Sequence, residues 1–383
     1  MAPDDAPRRA VKLIIDTDPG VDDAYAIALA MHTMRDDVKV IGVTTTFGNV
    51  RRDDATRNAK TLVNACSTTM TTKEKIPVVD GARVPLVRLE KTDVEGRRAR
   101  DADDSDVFVA DFVHGSDGFG NVREEYERVF RREKENGSCD GGGDGESYAY
   151  DEGKEAADFI AEMCAKYPGE VTVLALASLT NVALAFRRHP ECLKTMGELV
   201  VLGGAYGVNG NVNPAAEANI LGDPEAADEV FCSFERTYVV GLDVTMRLTL
   251  KGSDIEQLAK PSGADASDPV VQDDVRKFLH DATQFYKAYH ADVAGFDGIY
   301  MHDPTALLLV SPELRKLFTF TRAAVRVVTQ GITRGQTVMD THAKWPSPNE
   351  WSVAPKSNVA VDVDVDAVLH QFFLRLAIRP SER

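Results

Sequence analysis

Short runs of aliphatic and β-branched residues alternate along the chain with stretches whose apolar positions recur at helical spacing. The clearest strand–helix pairs are residues 12–16 with 22–34, 38–46 with 53–66, 171–177 with 181–189, and 199–202 with 223–234. The predicted strands are apolar on both faces, which is typical of strands that helices cover on both sides. This alternation predicts an α/β fold with a mostly parallel central sheet, in which ligands bind at the carboxyl ends of the strands.

The domain organisation follows from the length and from two unusual segments. A chain of 383 residues could hold two or three domains, but α/β folds often form one domain of more than about 250 residues. We expect a single domain over residues 1–383, with its core in about 12–361. Segments 91–106 and 131–156 are rich in charged residues or glycine and poor in apolar ones, so we expect exposed insertions there.

The composition narrows the classes of partner. The 61 Asp and Glu residues against 44 Lys and Arg give a formal net charge of −17, which repels phosphate backbones, so we expect no nucleic acid partner. The longest apolar stretch, residues 171–186, is interrupted by polar residues and is shorter than the roughly 20 residues that a bilayer requires, so we expect no membrane contact. The N-terminus lacks the apolar segment of a secretory signal, and the five cysteines include no C-x-x-C pair. These features predict a cytoplasmic protein.

Four aspartates crowd the point where the first predicted strand turns into a helix. The segment DTDPGVDDAYAI contains Asp16, Asp18, Asp22 and Asp23. Two ionised carboxylates about 4 Å apart repel each other by about 4 kcal/mol at an effective dielectric constant near 20, so the cluster needs a cation or must take up protons. Ca²⁺ suits several oxygen ligands in loose geometry, whereas Mg²⁺ usually arrives with phosphates, and the sequence has no Walker-type phosphate loop.

Other interpretations of this cluster compete with a metal site. Asp22 and Asp23 could cap the helix and stabilise its dipole, although this leaves Asp16 and Asp18 unexplained. An EF-hand loop counted from Asp16 reaches Ile27 at its twelfth position, where an acidic ligand is required, so that interpretation fails. An aspartyl-phosphate nucleophile in a D-x-D pattern after a first strand stays open on this motif alone.

Further polar residues stand directly after predicted strands or at the start of a predicted helix. They are Asn49 in TTTFGNV, Asn211, Glu217 and Asn219 in GGAYGVNGNVNPAAEANILGDPEAA, and His302 and Asp303 in DGIYMHDPTAL. Each residue alone has a structural explanation as a turn or cap residue. Together they predict a binding site at one edge of the sheet.

The motifs DTDPGVDDAYAI, TTTFGN, LTNVA, LGGAYG, AEANI, DPEAA and MHDPTA occur in this order between residue 12 and about residue 361. In this combination the sequence resembles the inosine–uridine nucleoside hydrolase family. The resemblance implies the Rossmann-like nucleoside hydrolase fold, and it disfavours the aspartyl-phosphate interpretation because no later motif of that kind follows. It further implies calcium-dependent hydrolysis of the N-ribosidic bond of uridine, inosine or xanthosine, which yields ribose and a free base in nucleoside salvage or catabolism.

The resemblance also implies roles for individual residues around an oxocarbenium-like ribose, whose positive charge negative groups would stabilise. Asp18 would be the general base. The Ca²⁺ ligands would be Asp18, Asp23, Asp303 and the main-chain carbonyl of Leu176. The substrate would be bound by Asp22, Asn49 and Asn219 at the ribose hydroxyls, by Asn211 and Glu217 at the 5′ end, and by Leu202 along the pocket wall.

Three residues are expected on the side of the base. His302 is the candidate general acid for the leaving base, because an imidazole can donate a proton near neutral pH; the alternative is that it orients its helix. Tyr300 would stack on the base or relay a proton to it, unless it is a core residue. His114 in FVHGSDGFGN resembles the family's HG-containing segment, which tends to be a mobile loop near the pocket, and a plain turn is its alternative.

Two other functions remain open at this point: a non-catalytic calcium-dependent nucleoside-binding protein, and a phosphorylase that uses phosphate as the nucleophile. The intact set of acids together with His302 favours catalysis, and the sequence has no basic phosphate cradle beside these motifs. The expected partner is therefore a small-molecule ribonucleoside. The resemblance also implies a homodimer or a higher homo-oligomer, and symmetric dimers are the commonest oligomers.

Overall fold

The computed structural model of the protein describes residues 10–34, 37–67, 75–87, 107–136, 148–264, 268–342 and 344–379. The predicted insertion at 91–106 lies outside the described residues. None of the helices in the described ranges combines the length and the apolar character that crossing a membrane requires.

Twelve strands are found in the described part of the chain. They are β1 (Val11–Thr17), β2 (Val38–Thr45), β3 (Ile76–Asp80), β4 (Tyr148–Glu155), β5 (Val171–Ala175), β6 (Glu198–Leu202), β7 (Thr237–Val240), β8 (Thr249–Lys251), β9 (Gly298–Tyr300), β10 (Phe318–Val327), β11 (Thr337–Asp340) and β12 (Lys356–Val363).

Fifteen α-helices accompany these strands within the same ranges. They are α1 (Val21–His32), α2 (Arg52–Cys66), α3 (Asp111–His114), α4 (Arg123–Asn136), α5 (Ala156–Lys166), α6 (Thr180–Arg188), α7 (Cys192–Thr195), α8 (Ala218–Gly222), α9 (Pro224–Ser233), α10 (Leu242–Thr245), α11 (Gly252–Ile255), α12 (Asp273–Ala294), α13 (His302–Leu308), α14 (Glu350–Val353) and α15 (Val365–Arg375). A short 3₁₀ helix spans Leu314–Leu317.

Ten of the described strands form one sheet in the order β11-β10-β12-β7-β6-β5-β1-β2-β3-β4. The pairs from β12 to β4 are parallel, whereas β10 runs antiparallel to both β11 and β12. Strands β8 and β9 form a separate antiparallel pair. Strand β1 lies between β2 and β5. After β1 the chain adds β2, β3 and β4 on one side of it, and it then adds β5, β6 and β7 on the other side. Such a reversal of strand order opens a crevice at the carboxyl ends of the two strands.

Both faces of the sheet are buried, as the strand pattern predicts. Leu13 and Ile15 point into a core that includes apolar residues of α1, α12 and α13, while Ile14 belongs to a second core with residues of α5, α6 and α9. Successive side chains of a strand point to opposite faces, so an uninterrupted apolar strand needs helices on both sides. The predicted α/β fold with a mostly parallel sheet is confirmed.

The exposed insertion expected at 131–156 is wrong at both ends, because residues 131–136 are the end of α4 and residue 156 begins α5. The second half of the segment expected to be an exposed insertion, residues 148–155, is strand β4, which pairs with β3 at the edge of the sheet. Tyr148 supplies part of the reason, because its ring packs against the core and lies beneath Lys60 Nζ at 5.6 Å from the ring centroid.

Candidate active site

Three carboxylates converge at the carboxyl end of β1. Asp22 and Asp23 lie in the first turn of α1, and Asp303 lies in the first turn of α13. One carboxylate oxygen from each of these residues lies within 4.8 Å of the others, and all three side chains are buried. The helices α1 and α13 pack against each other, so the fold brings together two motifs that are far apart in the sequence.

Asp23 is held by three donors. The Thr17 hydroxyl donates to its Oδ1, and the Gly20 backbone N–H and the Asn49 Nδ2 both donate to its Oδ2 at 2.9 Å. In contrast, Oδ1 of Asp22 is buried and has no hydrogen-bond partner among the described residues. Asp23 is therefore fixed by the protein, whereas Asp22 retains an acceptor for a ligand.

Asp18 adjoins this group and is held by the turn after β2. Its Oδ2 accepts a hydrogen bond from the Asn49 backbone N–H at 2.6 Å, and its Oδ1 accepts one from Asn49 Nδ2 at 3.4 Å. The turn fits only because residue 48 is glycine: a Cβ on Gly48 would lie 2.0 Å from Asp18 Oδ2. Asn49 thus links Asp18 to Asp23.

The crowding of these carboxylates changes their acidity. Burial, together with the charges of Asp23 and Asp22, raises the pKa of Asp18 well above its ordinary value. Burial and the charge of Asp23 raise the pKa of Asp22 to about 8. Burial and the charges of the three other aspartates raise the pKa of Asp303 well above its ordinary value. In the described part of the chain, no lysine or arginine forms an ion pair with any of the four.

The oxygen donors of this cluster fit a hard divalent cation. Buried carboxylates that face one another without a positive partner are costly, and binding a cation or a proton removes the cost. The set contains carboxylate oxygens and offers no sulfur ligand, which suits Ca²⁺ or Mg²⁺ better than zinc. The unpartnered Oδ1 of Asp22 is a further acceptor that a bound cation or ligand would satisfy.

A second buried network supports the cluster from below. Asp16 Oδ1 accepts hydrogen bonds from the Thr44 hydroxyl at 2.6 Å and from Asn181 Nδ2 at 2.8 Å. Asn181 Nδ2 also donates to the Thr45 carbonyl at 3.1 Å, so it joins β1, β2 and α6. Burial raises the pKa of Asp16 to about 6. Asp16 was part of the predicted acidic cluster, and the structure places it beneath the site, where it ties adjacent strands together.

Asn219 bridges the carboxyl ends of β5 and β6. Its Nδ2 donates to the Leu176 carbonyl at 2.8 Å and to the Leu202 carbonyl at 3.3 Å. Three of the predicted site residues are therefore in direct contact. The predicted role of the Leu176 carbonyl as a metal ligand stays a prediction, since this oxygen accepts from an amide here.

Glu217 and Asn211 organise the loop before α8. The buried Glu217 carboxylate caps this helix and accepts from the backbone N–H groups of Asn219, Ile220 and Gly204 at 2.8, 3.1 and 3.0 Å. Burial raises its pKa. Asn211 is exposed, and its Oδ1 accepts from the Ala218 N–H at 3.0 Å. Their predicted contacts with the 5′ end of the ribose stay predictions.

His302 opens α13 and is oriented by a neighbouring helix. Its Nδ1 lies 2.7 Å from the hydroxyl of Thr245, the last residue of α10. A threonine hydroxyl can donate or accept, so this bond orients the ring without deciding which nitrogen carries the proton. Burial lowers the pKa of His302 to about 3, so the ring is neutral near pH 7. The Tyr300 ring lies 5.5 Å from the His302 ring.

His114 closes the site on another side. The Val21 backbone N–H donates to its Nδ1 at 3.2 Å, so the neutral ring carries its proton on Nε2. Its Nδ1 lies 3.9 Å from Asp22 Oδ1, and its ring stacks on that of Tyr286 with centroids 4.9 Å apart. Burial lowers the pKa of His114 to about 3. Gly115, Gly118 and Gly120, which follow in this segment, have positive φ, so the conformation of the turn explains why glycine occurs at these positions.

Sequence reasoning missed several residues that support the site. Thr17 and Gly48 lie inside the motifs DTDPGVDDAYAI and TTTFGN, next to Asp18 and Asn49, and these positions were the available signal. Tyr286 and His290 are four positions apart on α12, which places them on one helix face, but periodicity alone assigns such residues to the core. Thr245 had no signal, because its contact with His302 spans 57 positions.

Comparison with known proteins agrees with this geometry. The family described as inosine-uridine preferring nucleoside hydrolase matches over residues 13–370. A probable uridine nucleosidase 1 of Oryza sativa subsp. japonica is 41% identical over 360 residues, covering 94% of each chain. Uridine nucleosidase 1 of Arabidopsis thaliana is 39% identical over 94% of this chain and 90% of its own. The solved structure of a plant nucleoside hydrolase has a TM-score of 0.76 and 35% identity, covering 96% of this chain and 99% of that chain.

The fold is thus that of a nucleoside hydrolase, an N-ribohydrolase enzyme. The chain belongs to the inosine-uridine preferring nucleoside hydrolase family. The resemblance stated from the motifs and the prediction of an enzyme are both confirmed.

Proposed function

We propose that this enzyme hydrolyses the N-ribosidic bond of ribonucleosides, with Ca²⁺ held by Asp18, Asp23, Asp303 and the Leu176 carbonyl. The observation that carries the proposal is the convergence of buried carboxylates without a lysine or arginine partner in the described ranges. When bound, the ion would supply positive charge that binds the ribose hydroxyls and lowers the pKa of water. Asp22, whose Oδ1 lacks a partner among the described residues, is suited to accept a hydrogen bond from a ribose hydroxyl.

The protein groups supply the rest of the chemistry. Asp18 accepts the proton of the attacking water and is oriented for this by Asn49. The carboxylates stabilise the positive charge that develops on the ribose as the bond to the base breaks. His302 stands at the start of α13 next to Asp303, and from there the N–H of its neutral ring donates a hydrogen bond to the leaving base.

The substrates that we propose are uridine, inosine and xanthosine, with uridine first. The support for uridine is that the two similar plant proteins are named as uridine nucleosidases.

Ribose release from uridine, inosine, xanthosine, adenosine and cytidine, measured with calcium and after chelation, tests the proposal. We expect release that chelation abolishes and added calcium restores, and that does not require phosphate. Asp18→Ala should lose turnover but still bind a ribose analogue. Release that is unaffected by chelation would refute the calcium assignment, and nucleoside binding without release by the wild type would instead support a non-catalytic binder.

We also infer a homo-oligomer, from the resemblance, and a cytoplasmic location. The support for the location is that no disulfide joins the cysteines of the described ranges. Light scattering of the purified protein and cell fractionation test these two inferences.

A further inference from the structure

A cavity outside the acidic site lies where strands β3 and β4 end, near the edge of the sheet. It has a volume of about 960 Å³ and is bordered by the loop after β3 and by the starts of α2, α5 and α6. None of the predicted catalytic, metal-binding or substrate-binding residues lines it. A cavity of this size accommodates an organic molecule rather than a single small ion.

The cavity carries an excess of basic side chains in an acidic protein. Four basic and three acidic side chains line it, whereas the whole chain has a net charge of −17. The basic residues are Arg52, Arg83, Lys154 and Arg188. Nη1 of Arg188 donates to Glu155, and its other donors have no hydrogen-bond partner among the described residues. A guanidinium has five N–H donors, so an arginine that is already ion-paired can still bind an anion.

Arg52 is the most deeply buried of these basic residues. Its side chain is 8% exposed, and its two terminal nitrogens form ion pairs with Asp53 and Asp80. Its Nε is buried and has no hydrogen-bond partner in the described part of the chain. A buried donor without an acceptor is costly, so an acceptor atom of a bound ligand would stabilise the protein here.

Three helices begin at this cavity. The first two residues of α2, of α5 and of α6 line it, and in none of these described helices does the N-cap side chain accept a hydrogen bond from the first turn. The N–H groups of a first turn have no acceptor within the helix, and the helix dipole places partial positive charge there. The three helix starts therefore add to the attraction that the arginines exert on an anion.

Another part of the lining is apolar. It includes Val84, Pro85, Leu86 and Leu184. A ligand that suits both parts of the cavity has an anionic group joined to an organic body. A phosphate monoester is such a ligand, because its oxygens accept several hydrogen bonds and match the planar donors of arginine.

We propose that this cavity binds an organic phosphate of the size of a nucleotide, with the phosphate group at the arginines and the organic body against the apolar lining. The inference does not depend on the proposed function, because the cavity shares no residue with the predicted active site.

Isothermal titration calorimetry of the 383-residue chain with uridine 5′-monophosphate, ribose 5-phosphate and inorganic phosphate tests the proposal. The titrations are made after chelation, so that no divalent cation attracts phosphate to the buried carboxylates. We expect at least one of the two esters to bind more tightly than inorganic phosphate. Arg188→Gln and Arg83→Gln, on different parts of the lining, should each weaken this binding by about tenfold.

Arg187→Gln is the matched control. Arg187 adjoins Arg188 on α6, forms an ion pair with Glu229 and is similarly exposed, but it does not line the cavity. This variant should keep the affinity of the wild type. Thermal unfolding of all three variants checks that each is folded at the temperature of the titration.

The outcomes identify the ligand or overturn the proposal. Tighter binding of uridine 5′-monophosphate than of ribose 5-phosphate supports a nucleotide, and the reverse order supports a sugar phosphate. Absence of binding, an affinity for both esters no greater than that for inorganic phosphate, or equal losses in Arg187→Gln and Arg188→Gln would overturn the proposal. If the wild type released no ribose, the proposed function would fail, but the result of these titrations would stand.

Discussion

Asp22 and Asp23 of the acidic cluster differ in their hydrogen bonds and therefore in the ligands that they can bind. Both oxygens of Asp23 are taken by donors from Thr17, Gly20 and Asn49, so this side chain is rigid before any ligand arrives. Oδ1 of Asp22 has no such donor in the described ranges. A rigid residue beside one with an open acceptor is the arrangement expected where a protein fixes a cation and lets the substrate complete its own contacts.

At this scale the role of His302 can be tested by substitution. The N–H of a neutral imidazole beside the leaving base helps a purine more than a pyrimidine, because departure of a purine depends more on a hydrogen-bond donor to its ring. We expect His302→Ala to lower kcat/KM for inosine more than for uridine, by about 10²-fold or more for inosine.

Thr245→Val is the matched control for the His302 substitution. It leaves the imidazole in place and removes the hydroxyl that lies 2.7 Å from Nδ1, so it should cause a smaller loss with the same preference for the nucleoside affected. Equal losses for inosine and uridine in His302→Ala would show that His302 only orients the start of α13.

The elements position the site through tight turns at the ends of strands. The turn after β2 lets the backbone of residues 48 and 49 approach the Asp18 carboxylate closely, and φ of Gly48 is +154°. A Cβ at this position would overlap Asp18 Oδ2. We expect Gly48→Ala to displace the carboxylate and to reduce kcat/KM by about 10²-fold, since small misplacements of catalytic groups are costly.

Gly169→Ala provides the control for backbone strain without crowding. Gly169 has φ of +77°, and a Cβ there would have nothing within 4 Å. This variant should lose stability, by about 1 kcal/mol, but should keep its activity. If both variants lost stability equally and neither lost activity, the close approach of residue 48 to Asp18 would have no part in catalysis.

The pattern of apolar residues predicts the parallel part of the sheet well. Strands that are buried on both faces are recognisable as apolar runs, and the helices that follow them are recognisable from the helical spacing of their apolar residues. The edge strand β4 escaped prediction, because its pairing with β3 is a long-range contact and its sequence is rich in polar residues. The acids and Asn49 are recognisable from their motifs. The role of Thr245 depends on its contact with His302 Nδ1, which only the three-dimensional structure shows.

For the whole molecule, the reversal of strand order at β1 explains why the acids can be assembled. Strands β2 and β5 flank β1 and run parallel to it, so the carboxyl ends of all three strands lie at the same edge of the sheet. This edge collects Asp18, Asn49 and the Leu176 carbonyl, and α13 adds Asp303 from the far end of the chain. The cost is a concentration of buried negative charge, so the stability of the whole fold depends on protons and cations.

The pH dependence of stability follows in sign from the raised pKa values. A carboxyl whose pKa is higher in the folded than in the unfolded protein binds more protons when folded, so the free energy of unfolding falls as the pH rises through that window. Here the window begins near the unfolded value of 3.8 and extends through about 6 for Asp16 and about 8 for Asp22. In the presence of a chelator, we therefore expect the protein to be less stable near pH 8 than near pH 5.

Calcium should reverse this trend, because the cation replaces the protons that leave at high pH. At one fixed free concentration, about 100 times the Kd that holds near pH 8, it should raise the free energy of unfolding by about 2.7 kcal/mol near pH 8 and by less near pH 5. Denaturant unfolding near pH 5 and near pH 8, with calcium or chelator, measures both effects.

Asp303→Asn should abolish most of the calcium effect, whereas Glu124→Gln, which changes a side chain 71% exposed on α4, should leave it intact. A calcium effect of the same size at both pH values would contradict this argument, because the ion would not be competing with protons for the buried carboxylates.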